Sequence, residues 1–144
     1  MEKLVDKFAP IDIIIDDGSH IMVDIETSFR HLFKHVTADG CYIVEDLHAA
    51  YWQDFGGGLG SKGSFIEFTK QVIDVMHIDY LQEDCKWDPF LIEVAKYTRS
   101  LRIVDSMIIY EKGRPIRKHA PIRGRLSPDT NQLGELSFNV QAIR

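Results

Sequence analysis

The chain is poor in cysteine: only Cys41 and Cys85 occur in 144 residues, with no CxxC spacing. That excludes a disulfide scaffold or a thiolate metal ribbon and leaves both thiols as small hydrophobes. Long apolar runs are also missing. Ile13-Ile14-Ile15 is strand-sized, far short of the ~18–20 residues that a membrane helix requires. Met1-Glu2-Lys3-Leu4 offers no signal-peptide core, so the expectation is a cytoplasmic protein with no membrane partner. Positive charge is in deficit as well, with Lys plus Arg at 17 against Asp plus Glu at 22. A nucleic-acid surface needs a basic footprint to displace counterions, so nucleic acid is not an expected partner.

What remains is a globular composition, 44% hydrophobic. A chain of this length buries about 68–70% of its unfolded surface and supports a core without staples. The charge divides unevenly. Residues 1–111 carry ten Lys/Arg and twenty Asp/Glu, a balance of −10, whereas residues 112–144 carry seven and two, or +5, which together restore −5. The reading is therefore an α/β body over residues 1–113, followed by a basic, Pro/Gly-rich tail over 114–144 with a late apolar run at 136–143 and no assigned structure.

Ile11–Asp16 is apolar on both parities, which predicts a strand covered on both faces in a parallel sheet. From Met22 to Val36 apolar residues recur at three- and four-residue steps, predicting an amphipathic helix that Asp39-Gly40 closes. Cys41–Val44 is a second short strand, and strand, helix, strand is the βαβ pattern. Leu47–Gly63 reads as a mobile loop bearing aromatic residues and a glycine cluster. Ser64 with Glu67 has capping-box spacing and starts a helix that extends toward Leu81. After a polar stretch over Glu83–Pro89, Leu101–Val104 and Met107–Tyr110 form an antiparallel hairpin turned at Asp105-Ser106.

Both early strands end in acid: Asp16-Asp17 and Glu45-Asp46. Ligands of open α/β sheets bind outside the carboxyl ends of the strands. If the strands are parallel neighbours, ~4.8 Å apart, these carboxylates crowd one rim. Like charges so close repel unless a cation intervenes. Mg²⁺ suits such a rim, because a few carboxylates hold it while positions stay open for other oxygens. Some of these acids have an alternative use, since Asp17 or Ser19 could cap the helix at Met22. His20, three residues past Asp17, is a general-base candidate. His48, just beyond Asp46, and the neighbouring Tyr51 and Trp52 are secondary candidates, with Asp16. His31 and His35, four apart on one helix, have no evident third ligand.

Asp16-Asp17-Gly18-Ser19-His20, followed by Glu45-Asp46-Leu47-His48 and Tyr51-Trp52, resembles the metal-dependent class I S-adenosylmethionine O-methyltransferases that act on macrolide sugars. The likeness spans about residues 11–113. It implies Asp17, Glu45 and Asp46 as Mg²⁺ ligands, His20 as general base, and a sugar hydroxyl as acceptor. It also implies a partial Rossmann-like sheet made of the family's later strands. The strand and glycine-rich turn that hold the cofactor in that family have no counterpart here, and the cluster at Gly56–Gly63 does not follow a strand as such a turn must. S-adenosylmethionine is thus expected to bind this chain weakly or not at all. The first strand would present an open edge, so self-association or a partner supplying the missing half is expected. The same ligand chemistry also admits a metal-dependent hydrolase, or a non-catalytic remnant acting as an interaction module.

Overall fold

The computed structural model describes residues 7–81 and 85–114. The basic tail and its late apolar run lie outside these residues. In chain order the described elements are β1 (Ile11–Asp16), α1 (Met22–Leu32), β2 (Val36–Val44), α2 (Phe65–Met76), α3 (Pro89–Tyr97), β3 (Thr98–Val104) and β4 (Met107–Lys112), with short 3-10 turns between them.

They form one four-stranded sheet in the order β1-β2-β4-β3. β1 runs parallel to β2, while β4 lies antiparallel to both β2 and β3. The α/β class, the parallel first pair joined by a helix and the hairpin at the end all match the sequence reading.

The helices pack on the sheet face that carries Tyr42, Val44, Ile108 and Tyr110. Phe29 of α1 is the hub. Its ring centroid lies 5.0 Å from Tyr42, 5.5 Å from Phe65 and 4.6 Å from Tyr110. Edge-on and tilted pairs at these separations add to the area term of burial. The Tyr110 hydroxyl, fully buried, meets Thr69 Oγ1 at 2.7 Å, so no polar group is stranded there.

Several boundaries differ from the sequence reading, each for a physical reason. α1 stops at Leu32, a 3-10 turn covers Phe33–His35, and Val36 already begins β2. Phe33 and Val36 are buried as their spacing suggested, but in a turn and a strand. Asp39-Gly40 consequently lies inside β2. The pairing jumps from Ile11↔Val36 to Ile13↔Cys41, so Thr37–Gly40 bulge outward. Gly40 is required there, because a Cβ would sit 2.3 Å from the Asp12 carbonyl oxygen. α2 ends at Met76 and gives way to a 3-10 turn at Ile78–Tyr80, short of Leu81.

α3 is an element the sequence reading passed over. Asp88 caps it, accepting the Phe90 N–H at 2.9 Å, and Pro89 occupies the first turn, where its missing N–H costs nothing. Leu91 and Val94, three apart, fill the core. Arg30 of α1 joins the two helices: it donates to Glu26 at 2.7 Å and to Asp88 at 2.8 Å.

β1 is the largest correction. Its apolar parity predicts cover on both faces, yet Ile13 and Ile15 are 59% and 58% exposed. Ile14, on the opposite parity, packs against the core. Among the described residues the helices cover one face of the sheet, and β1 stands at its edge with no strand on its other side.

Candidate active site at the strand ends

The parallel pairing sets Asp16 beside Val44, and the Glu45 N–H donates to the Asp16 carbonyl at 3.0 Å. The two acidic strand ends therefore share one rim. Here the structure brings together Asp17, His20 and Asp46, each offering a ligand atom within 4.8 Å of the other two. His20 Nε2 lies 4.0 Å from Asp17 Oδ1 and 3.8 Å from Asp46 Oδ2. Those separations are electrostatic contacts, too long for hydrogen bonds.

Backbone conformation aims the side chains. His20 (φ 58) and Asp46 (φ 55) are both left-handed, a conformation that costs a non-glycine residue about 1 kcal/mol. Such residues gather where a side chain must point somewhere regular structure would not send it. Asp17 does not serve as a helix cap. Ile21 takes the cap position of α1 without a side-chain bond, and Ser19 Oγ accepts the Ile21 N–H at 3.3 Å while donating to Asp24 at 2.7 Å.

The other candidates are placed as follows. Asp16 is not one of the trio and accepts the Tyr42 hydroxyl at 2.7 Å. Burial pushes its carboxyl above the usual range, the tyrosine bond opposing that rise. Glu45 is half-buried and outside the trio. His48 is exposed, with Nδ1 3.9 Å from Asp46 Oδ1. Trp52 meets the His48 ring edge-on at 4.9 Å, and Tyr51 and Trp52 are each 51% exposed. His31 is spent on its own helix, where Nδ1 lies 2.8 Å from the Thr27 carbonyl oxygen.

Ser106 was read only as a turn residue, and the structure gives it a second role. The hairpin tip docks on the segment after Asp46: the Leu47 N–H donates to the Ser106 carbonyl at 2.9 Å, and the His48 N–H donates to Ser106 Oγ at 3.1 Å. His48 Nδ1 is 2.7 Å from the same oxygen. Ser106 is itself left-handed, φ 60. A partner 58 residues away leaves no local signal in the sequence.

The segment read as a loop, Leu47–Gly63, holds two 3-10 turns, Leu47–Tyr51 and Gln53–Phe55. Leu47, Ala49 and Ala50 are buried beneath it. Its glycines follow these turns and no strand.

No family model matches the chain. Comparison with curated proteins does find relatives. Over 117 residues the chain is 33% identical to mycinamicin VI 2''-O-methyltransferase of Micromonospora griseorubida, covering 79% of this chain and 29% of that enzyme. It is 34% identical to demethylmacrocin O-methyltransferase of Streptomyces fradiae, over 78% of this chain and 29% of that enzyme. Among solved structures, MycE methyltransferase of the mycinamycin pathway, in complex with Mg and SAH, superposes with a TM-score of 0.72 at 30% identity. That match covers 94% of this chain and 35% of MycE. The chain thus spans about a third of the length of the enzymes it matches. In sequence and in fold it is similar to a part of the macrolide-sugar O-methyltransferases.

Proposed function

We propose that this chain carries the metal- and proton-handling part of a sugar O-methyltransferase site. The observation that bears most weight is the gathering of Asp17, His20 and Asp46 at one rim, in a chain 33% identical over 117 residues to a macrolide-sugar enzyme. Their donor set fits a hard divalent cation: carboxylate oxygens supply charge, and an exposed rim leaves room for water or substrate oxygens. Asp17 and Asp46 would hold Mg²⁺, with Glu45 as a third carboxylate from the same strand end. When bound, such an ion lowers the pKa of a coordinated hydroxyl.

His20 Nε2 takes the acceptor proton, and the carboxylates of Asp17 and Asp46 on either side stabilise the imidazolium that results. The left-handed backbone at residues 20 and 46 fixes both groups before substrate arrives. The methyl donor, S-adenosylmethionine, is assigned to the region of the longer relatives that this chain does not match. β1, at the edge of the sheet among the described residues, is where that region, from a partner or a second copy, would pair.

Isothermal titration of the chain with Mg²⁺ tests the site. Saturable binding is expected, weakened at least about tenfold by Asp46→Asn and by Asp17→Asn, a loss of roughly 1.4 kcal/mol or more each. Absence of saturable heat at millimolar Mg²⁺ overturns the reading.

A further inference from the structure

Trp52 combines exposure with rigidity. Half of its surface faces solvent, yet its backbone is fixed from both directions. Its N–H donates to the Ala49 carbonyl at 3.0 Å, and its own carbonyl accepts the N–H of Phe55 at 3.2 Å and of Gly57 at 2.9 Å. The last contact depends on glycine, because a Cβ at position 57 would lie 2.3 Å from the Ala50 carbonyl oxygen. The indole is braced by Phe55, at 5.7 Å between centroids, and by the edge of His48 at 4.9 Å. His48 in turn stands 3.9 Å from Asp46 and is pinned to the hairpin by Ser106. A preorganised aromatic surface is thereby held one imidazole away from a group of carboxylates.

Water gains little from a large ring held still in the open, whereas a ligand does, because the ordering entropy is already spent. The patch is small: one indole, bordered by ionisable groups. That suits a small amphipathic molecule better than a broad protein surface. A pyranoside has this character, with hydroxyls at its edge and C–H bonds across its face.

We propose that Trp52, flanked by Tyr51, is the stacking platform for the acceptor's pyranose ring, and that His48 sets the spacing between platform and carboxylates. This rests on the sugar-methyltransferase reading and names the residue that recognises the ring. Asp17, His20 and Asp46 address the hydroxyl edge, and Trp52 addresses the apolar face.

The test uses the whole chain and methyl α-L-rhamnopyranoside as probe, with and without Mg²⁺, followed through the indole N–H resonances of its two tryptophans. Trp52→Phe assigns them. The sugar is expected to move the Trp52 signal and leave that of Trp87 in place. Trp52→Ala should weaken sugar binding roughly fivefold or more, while Mg²⁺ affinity and the Trp87 signal, a check on the fold, stay unchanged. A Trp52 response that persists when Mg²⁺ fails to bind supports the platform and sinks the metal reading. The platform is overturned if the sugar binds Trp52→Ala as tightly as the native chain, if its binding leaves Trp52 unmoved, or if no binding occurs up to about 100 mM, the range of contacts worth under 2 kcal/mol.

Discussion

Lys112→Met gives a sharp test of how the scaffold is held. Lys112, at the end of β4, is 7% exposed. Its Nζ donates to the carbonyls of Phe33 at 3.0 Å and Val36 at 2.7 Å, and sits 4.7 Å over the Phe33 ring. The ammonium thus closes the C-terminal end of the α1 segment, where carbonyls lack intrahelical partners and a positive charge is welcome. Methionine keeps the apolar stem and takes the ammonium from both carbonyls, although that of Phe33 keeps the Val36 N–H as a donor. At about 1–3 kcal/mol for the acceptor that loses most, the net loss should be about 1–3 kcal/mol. Thermal unfolding followed by circular dichroism should then show a midpoint lower by roughly 3–12 °C.

The pH dependence carries a sign. Burial lowers the Lys112 pKa, with Glu93 opposing, so between the folded value and the unfolded value near 10.4 the unfolded chain holds more protons. Stability of the native protein relative to Lys112→Met should rise across that alkaline window. A change within about 0.5 kcal/mol at neutral pH, the range of an ordinary surface substitution, refutes the account.

Gly57→Ala should cost at least about 2 kcal/mol and displace Trp52, since the clash is with backbone that cannot swing away; urea titration and tryptophan emission report the two effects. Asp88→Ala removes the α3 cap and should cost about 1–2 kcal/mol. The Phe90 N–H bond holds the Asp88 carboxyl below its usual range, so its contribution is present above about pH 4 and is lost as pH falls further. Ile15→Lys should reduce self-association in light scattering without loss of stability, because the side chain is already exposed on the edge strand of the described residues; a native chain that stays monomeric at high concentration refutes this.

What was legible in the sequence was whatever repeats locally. Ile11–Asp16 and Cys41–Val44 announce strands by apolar runs, and the Met22 helix by its period. The acids that end those strands mark the rim. What was missed depends on context. The stripe of α1 continues through Phe33 and Val36 because turn and strand bury them against the same core, so periodicity alone overran the helix. α3 has a local signal in Asp88-Pro89, but it is short and follows directly on a polar stretch. The exposure of Ile13 and Ile15 is invisible to hydropathy, which reports what a side chain prefers and not what is there to cover it. Ser106 meets His48 only because a hairpin folds over the end of β2, and no spacing rule spans that distance.

The left-handed backbone at His20, Asp46 and Ser106 has a consequence for anyone breeding hardier variants. Glycine relieves such strain at no steric cost, so a screen for heat resistance alone should drift toward glycine at His20 and Asp46, while Ser106 is kept by its bonds to His48. Each such step would raise the melting point and erase a functional group. Thermostability and chemistry are here in direct competition at single residues, and a screen that rewards only the first would deliver a sturdier protein with a blank rim.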